Sequence, residues 1–89
     1  MTNTAPGLDA EPLKQLAQHL VNDHTRLLRA LVARRLEQGI SQTLVADRMG
    51  VARSTVMAIE RCDADPTLST LRRYALAIGA RIQTRVVED

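Results

Sequence analysis

Residues 40–61 read ISQTLVADRMGVARSTVMAIER, and the fold turns on this stretch. Ser41 is a residue that caps helices. From Gln42 to Met49, Val45, Ala46 and Met49 recur on one helical side. Gly50 supplies the positive φ that a sharp turn wants. Val51 then points inward, and Ala52 to Arg61 form a second helix with Val56 and Ile59 on its core face. Two short helices joined through one glycine must cross steeply, because the connector is too short for an antiparallel return. Ala46 is small enough for the second helix to approach closely. The other face of that helix carries Arg53, Ser54, Met57 and Ala58, short or flexible side chains without an acid.

The chain stays helical on both sides of this pair. Upstream, Arg26 to Gln38 predicts a helix ended by Gly39. Downstream, Cys62-Asp63-Ala64-Asp65-Pro66 reads as a loop, since Pro66 disfavours helix immediately before it. Thr67 caps a further helix whose buried stripe is predicted as Leu68, Leu71, Tyr74, Ala75 and Ile78, before Gly79 stops it. The tail then changes period. Ile82, Thr84 and Val86 alternate with Arg81, Gln83 and Arg85, the pattern of a strand. A lone strand in a helical chain needs an edge partner, and the simplest is the same strand of a second copy. A disordered C-terminus is the alternative reading.

At the other end, Asp9 can cap a helix beginning at Ala10, with Pro12 in its first turn. Leu13, Leu16, Ala17, Leu20 and Val21 share one apolar face. Asn22-Asp23-His24-Thr25 are poor helix formers and predict a break. The same apolar phase continues through His24 to Leu27, Leu28 and Leu31, so one long helix is the competing reading. The resulting organisation is a flexible arm over 1–8 and an amphipathic helix over 9–25, either an interface or an extension of the next helix. A helical domain over 26–80 and a tail over 81–89 complete it.

Length and composition narrow the function. Eighty-nine residues make one domain, given a usual size of roughly 100–200. Hydrophobic residues at 45% and charged residues at 25% describe a folded chain. Tyr74 is the sole aromatic, which argues against a single-strand binder that stacks bases on aromatic rings. One cysteine, Cys62, allows no internal disulfide and suggests a reducing compartment. The uncharged stretches fall far short of the ~20 apolar residues that cross a bilayer. The polar N-terminus does not read as a signal peptide, so a cytoplasmic location, at the nucleoid if DNA is bound, is expected.

Charge is unevenly placed. Residues 1–25 carry Lys14 against Asp9, Glu11 and Asp23, whereas residues 26–89 carry eleven arginines against seven acids. The arginine fork suits phosphates and guanine edges, although GC-rich codon usage produces the same bias. There is no Gly-rich phosphate loop, no HExxH and no catalytic triad spacing. His19 and His24 stand five apart, which is not a helical metal pair. Asp63 and Asp65 beside Pro66 read as turn chemistry. No enzyme activity, cofactor, metal or membrane partner is expected.

Two steeply crossed helices with a basic, small-residue outer face have the geometry of a helix-turn-helix, whose second helix enters the DNA major groove. The sequence resembles the Cro and lambda-repressor-like (XRE) helix-turn-helix family over Leu27 to Ala80. The resemblance rests on Ile40-Ser41-Gln42, Ala46, Gly50-Val51, Ser54-Thr55-Val56, Ile59-Glu60 and Leu71-Arg72-Arg73-Tyr74-Ala75. It implies an all-α, compact bundle of four to five helices, here with an extra N-terminal helix and a short C-terminal β-strand. By the same resemblance, Gln42 anchors a phosphate and Arg53, Ser54, Met57 and Ala58 face base edges. Thr43, Thr55, Arg61 and Thr67 belong with the backbone contacts. Arg35 and Glu60 would pair as a structural lock. Arg53 can grip guanine or a phosphate, and both readings stay open.

Two positions depart from the family. Cys62 stands where a glycine usually follows the recognition helix, and Ala52 stands where a serine or threonine cap is common. The passage Leu71-Arg72-Arg73-Tyr74 to Ile78-Gly79-Ala80-Arg81 also resembles HigA-type antitoxins, which repress their own operons. The expected function is a sequence-specific, duplex-DNA-binding dimeric repressor that inserts helix 52–61 into the major groove of a near-palindromic operator. The competing expectation is an antitoxin that binds a protein toxin and autoregulates its operon. The homodimer would close through Leu13, Leu16 and Leu20, or through Ile82, Thr84 and Val86.

Overall fold

The computed structural model describes residues 10–61 and 63–88. Four helices follow one another there: α1 (Ala10–Glu37), α2 (Gln42–Met49), α3 (Arg53–Glu60) and α4 (Leu68–Ile78). The arm expected over Met1–Leu8, the Asp9 cap and Cys62 lie outside the described residues. No helix among the described residues is long and apolar enough to cross a membrane.

The break expected at Asn22–Thr25 is absent, so the extra N-terminal helix is the first half of α1. Asn, Asp, His and Thr each cost less than about 0.7 kcal/mol inside a helix relative to alanine, too little to end one. A break would also leave a turn's worth of backbone groups unpaired. Local contacts favour continuity: Gln18 Nε2 donates to Asn22 Oδ1 at 3.1 Å, and Arg26 lies 3.5 Å from Asp23. His24 donates from Nε2 to the Ala64 carbonyl at 3.0 Å, tying the middle of α1 to the loop before α4. Residues 11–23 are all exposed, so the first half of α1 stands clear of the core.

The core is built from Leu28 and Leu31 of α1, Val45, Ala46 and Met49 of α2, and Val56 and Ile59 of α3. Leu71, Tyr74, Ala75, Ala77 and Ile78 of α4 complete it, edged by Leu27, Ile40, Val51, Ala80 and Ile82. α4 packs on α1 and α2, while α3 packs on α2 and α1. Leu68 is a correction to the predicted stripe. It is 48% exposed because the first residue of α4 lies beyond the edge of the core, and Ala77 is buried further along.

Local chemistry sets the helix ends. Ser41 Oγ accepts from Leu44 N–H at 3.0 Å, and Thr67 Oγ1 accepts from Thr70 N–H at 3.1 Å. Gly50 closes α2 at φ 72°, a conformation costly for any residue with a Cβ. Ala52 occupies the N-cap of α3 with no side-chain bond. α3 ends with Arg61 extended at φ −70°, ψ 140°, so this helix stops without a left-handed residue at its cap. Arg48 of α2 donates to the Ala77 carbonyl at 2.7 Å, and Arg73 of α4 donates to the Met49 carbonyl at 2.9 Å. Each arginine satisfies a carbonyl at the other helix's C-terminal end, where cations are favoured.

The expected C-terminal strand is not formed within the single chain: residues 80–88 are without a ladder, because no other segment of the described residues offers an edge. Ile82 is half-buried against the core, while Thr84 and Val86 are exposed.

Candidate nucleic-acid interface

α2 and α3 position the candidate interface from behind. Val56 and Ile59 bury one side of α3, leaving Arg53, Ser54, Thr55 and Met57 exposed and Ala58 half-buried. Arg53 and Ser54 open the helix, so they project from its N-terminal end. Met57 is 47% exposed one turn further along. The only acid of α3 is Glu60 at its last position, turned away into the protein.

Glu60 is the centre of a buried polar cluster. Its Oε2 accepts from Arg35 Nε at 2.7 Å and from the Tyr74 hydroxyl. Its Oε1 accepts from Arg35 Nη2 at 2.9 Å and from Gln42 Nε2 at 3.0 Å. Arg35 is 8% exposed and sends its remaining Nη1 to the Ile40 carbonyl at 2.9 Å. No buried side-chain N or O atom among the described residues lacks a partner. Such a side-on, fully satisfied arrangement turns a costly burial of charge into a fixed joint. Burial pushes the Glu60 carboxyl up, but the hydrogen bonds from Arg35, Tyr74 and Gln42 outweigh it and hold it below the ordinary range. The Glu60 bond raises Arg35 despite burial. Burial, reinforced by Glu60, raises the Tyr74 phenol.

Gln42, half-buried at the start of α2, faces both ways. Its amide nitrogen is on Glu60, and its Oε1 accepts from Arg53 Nη2 at 3.4 Å. The second amide hydrogen stays available to a phosphate. Thr43 is exposed next to it. Arg61 is exposed, with Nε 3.3 Å from Asp63 Oδ1. Thr67 spends its hydroxyl on Thr70, accepting from its N–H and donating to its Oγ1 at 3.1 Å, so the candidate phosphate donor there is the helix start itself.

The structure thus brings Gln42, Thr43, Arg53, Ser54, Thr55, Met57 and Ala58 together on α2 and α3. Arg35 and Glu60 lie beneath them, and Arg61 and Thr67 follow α3. Leu13, Leu16 and Leu20 are exposed on the far half of α1, away from this group. Sequence reasoning missed three participants. Tyr74 fits the core stripe by its spacing, although a buried phenol normally seeks a partner. Arg48 and Arg73 enter the sequence only as part of the arginine excess, yet both are engaged on helix carbonyls.

The helix-turn-helix family matches residues 31–84, which take in α2, α3 and α4. Antitoxin HigA1 of Mycobacterium tuberculosis, in strains CDC 1551 and H37Rv, is 40% identical over 79 residues. That alignment covers 89% of this chain and 53% of the relatives, so the chain spans about half their length. No solved structure matches the chain. With the α2–α3 pair joined through Gly50, the arginine-bearing outer face and the match from the core of α1 into the tail, the chain belongs to the XRE-type helix-turn-helix family of DNA-binding proteins.

Proposed function

We propose that the chain is a sequence-specific regulator of transcription that binds duplex DNA as a two-fold dimer, with α3 of each copy in the major groove. The observation that carries this reading is the contrast between the two sides of α3. Val56, Ile59 and Glu60 anchor it, while Arg53, Ser54, Thr55 and Met57 face solvent. In this reading Arg53, Ser54, Met57 and Ala58 meet base edges. Gln42, Thr43, Thr55, Arg61 and the α4 start at Thr67 meet phosphates. Half-sites would lie about 10 bp, or ~34 Å, apart or a multiple of that, and occlusion of a promoter would repress it.

The test is a titration of the protein against duplex from its own upstream region and against random duplex, at two salt concentrations, with particle mass measured alongside. The expected result is tighter binding to the upstream duplex by a dimer, with log K falling by about 0.9 per phosphate contacted for each unit of log salt. Equal affinity for both duplexes sinks sequence-specific regulation. A monomeric complex sinks the two-fold arrangement.

A second reading, an antitoxin that also binds a protein toxin, is favoured by the identity to HigA1 antitoxins. It is favoured too by the apolar face of Leu13, Leu16, Leu20 and Val21, exposed on the half of α1 that stands clear of the core. The same face would serve dimerisation in the first reading, and a double substitution there separates the two.

A further inference from the structure

We propose that Tyr74 is a positioning residue for base reading: through Glu60 and Gln42 its hydroxyl sets the direction in which Arg53 points. This rests on the DNA-reading function proposed above and assigns a specificity role to a side chain that touches no DNA.

The chain of contacts is continuous. Tyr74 is fully buried in α4 and donates to Glu60 Oε2. Arg35 bridges both carboxylate oxygens, so each oxygen holds two donors and the group cannot rotate without losing one. Oε1 takes Gln42 Nε2 at 3.0 Å, and this fixes the amide's orientation, because the flipped amide would set its oxygen against a carboxylate. The Gln42 oxygen is thereby turned outward, and Arg53 Nη2 lies on it at 3.4 Å. Arg53 carries the longest side chain of the outer face. A guanidinium biased toward one orientation before binding loses less freedom when it meets a base, and it favours one base geometry over others. The hydroxyl of Tyr74 is a remote part of this joint that can be removed without disturbing the core, since phenylalanine keeps the ring. The contacts polarise one another in a buried setting, so deleting one end is felt at the other.

The test compares wild type, Tyr74→Phe, Arg53→Ala and the double variant in selection from a randomised duplex library. Affinities for the selected site and its single-base variants follow. Arg53→Ala identifies the base pair that Arg53 reads. Tyr74→Phe is expected to reduce preference at that base pair about three- to tenfold, as for members of one hydrogen-bond network, and to leave the remaining positions unchanged. It should bind random duplex within about twofold of wild type. In the double variant the Tyr74 substitution should cause no further loss. Full preference retained in a folded Tyr74→Phe protein overturns the proposal, and so does a loss spread evenly over all positions. Should Tyr74→Phe fail to fold, Gln42→Met breaks the same link outside the core, and preference retained at the Arg53 base pair again overturns it. If the wild type selects no motif, the DNA-reading function fails first and this proposal goes with it. A wild-type motif with an unaffected variant sinks the positioning role alone.

Discussion

Arg35 lies side-on to Glu60, Nε to Oε2 at 2.7 Å and Nη2 to Oε1 at 2.9 Å, and so joins the second half of α1 to the last residue of α3. Removing the cation would leave a carboxylate buried with only neutral donors. Arg35→Met is expected to lower unfolding stability by about 3 kcal/mol, whereas Arg35→Met with Glu60→Leu should recover part of it. Urea unfolding of the single and double variants checks this. Equal losses in both would show that the pair stabilises beyond its own charge balance.

The same cluster makes stability depend on pH at both extremes. Glu60 is held below its ordinary value of 4.5, so the folded chain resists the proton that the unfolded chain accepts. Its contribution is complete above that value and drains away as pH falls through the lower folded one. Tyr74 acts in the opposite sense. Burial and Glu60 raise it above 10.0, so the unfolded chain ionises first and stability declines as pH rises past that value. Urea midpoints should be level in between and fall on both sides. Tyr74→Phe should flatten the alkaline limb and, by taking one donor from Glu60, make the acid limb smaller as well, and an unchanged alkaline limb would refute the assignment.

Arg53 and Arg61 should divide sequence reading from general affinity. Arg53→Ala is expected to reduce discrimination at one base pair by about 1–3 kcal/mol. Arg61→Ala should weaken selected and random duplex together, with a salt slope shallower by about 0.9. Anisotropy titrations over a salt series measure both. Parallel losses in the two variants would contradict the division.

Leu16→Asp with Leu20→Asp alters the exposed face of α1 without entering the core, since both residues already face solvent. If that face holds the two copies together, sedimentation should show monomers and operator affinity should collapse. If it holds a toxin, the dimer and its DNA binding should persist while toxin neutralisation is lost. A variant unchanged in all three respects would remove that face from both readings.

Ala52 has φ −74° and ψ 152°, a suitable N-cap backbone with no side chain to use it. Ala52→Ser should raise stability by about 1 kcal/mol by bonding an N–H in the first turn of α3. Thermal melting tests it, and a neutral or negative change would mean that the bond from Thr55 N–H to the Ala52 carbonyl, 3.0 Å, already satisfies that turn.

The α2–α3 pair was legible because its signals are local: Ser41, Gly50 and the spacing of Val45, Met49, Val56 and Ile59 specify caps, turn and buried side with no knowledge of distant residues. Continuity of α1 was less legible. Asn22, Asp23 and Thr25 announce a terminus locally, but their small penalties are overruled by the apolar phase and by the His24–Ala64 bond across the fold. The tail misled for the converse reason, since alternation describes a strand's faces and says nothing of whether an edge exists to receive it. Gln42 could be singled out by its place at the head of α2. Its hold on both Glu60 and Arg53 could not, because that joint assembles residues from separate helices.

The free half of α1 also complicates any melting curve. Residues 11–23 rely on their own backbone bonds and on the docked half as a template, and short helical tracts in water are barely stable alone. Heating should therefore fray that rod from its tip while Tyr74, the lone intrinsic fluorophore, still senses an intact interior. Circular dichroism and tyrosine emission would then trace two different transitions, and fitting either one to an all-or-none scheme would misstate the energy of the folded chain.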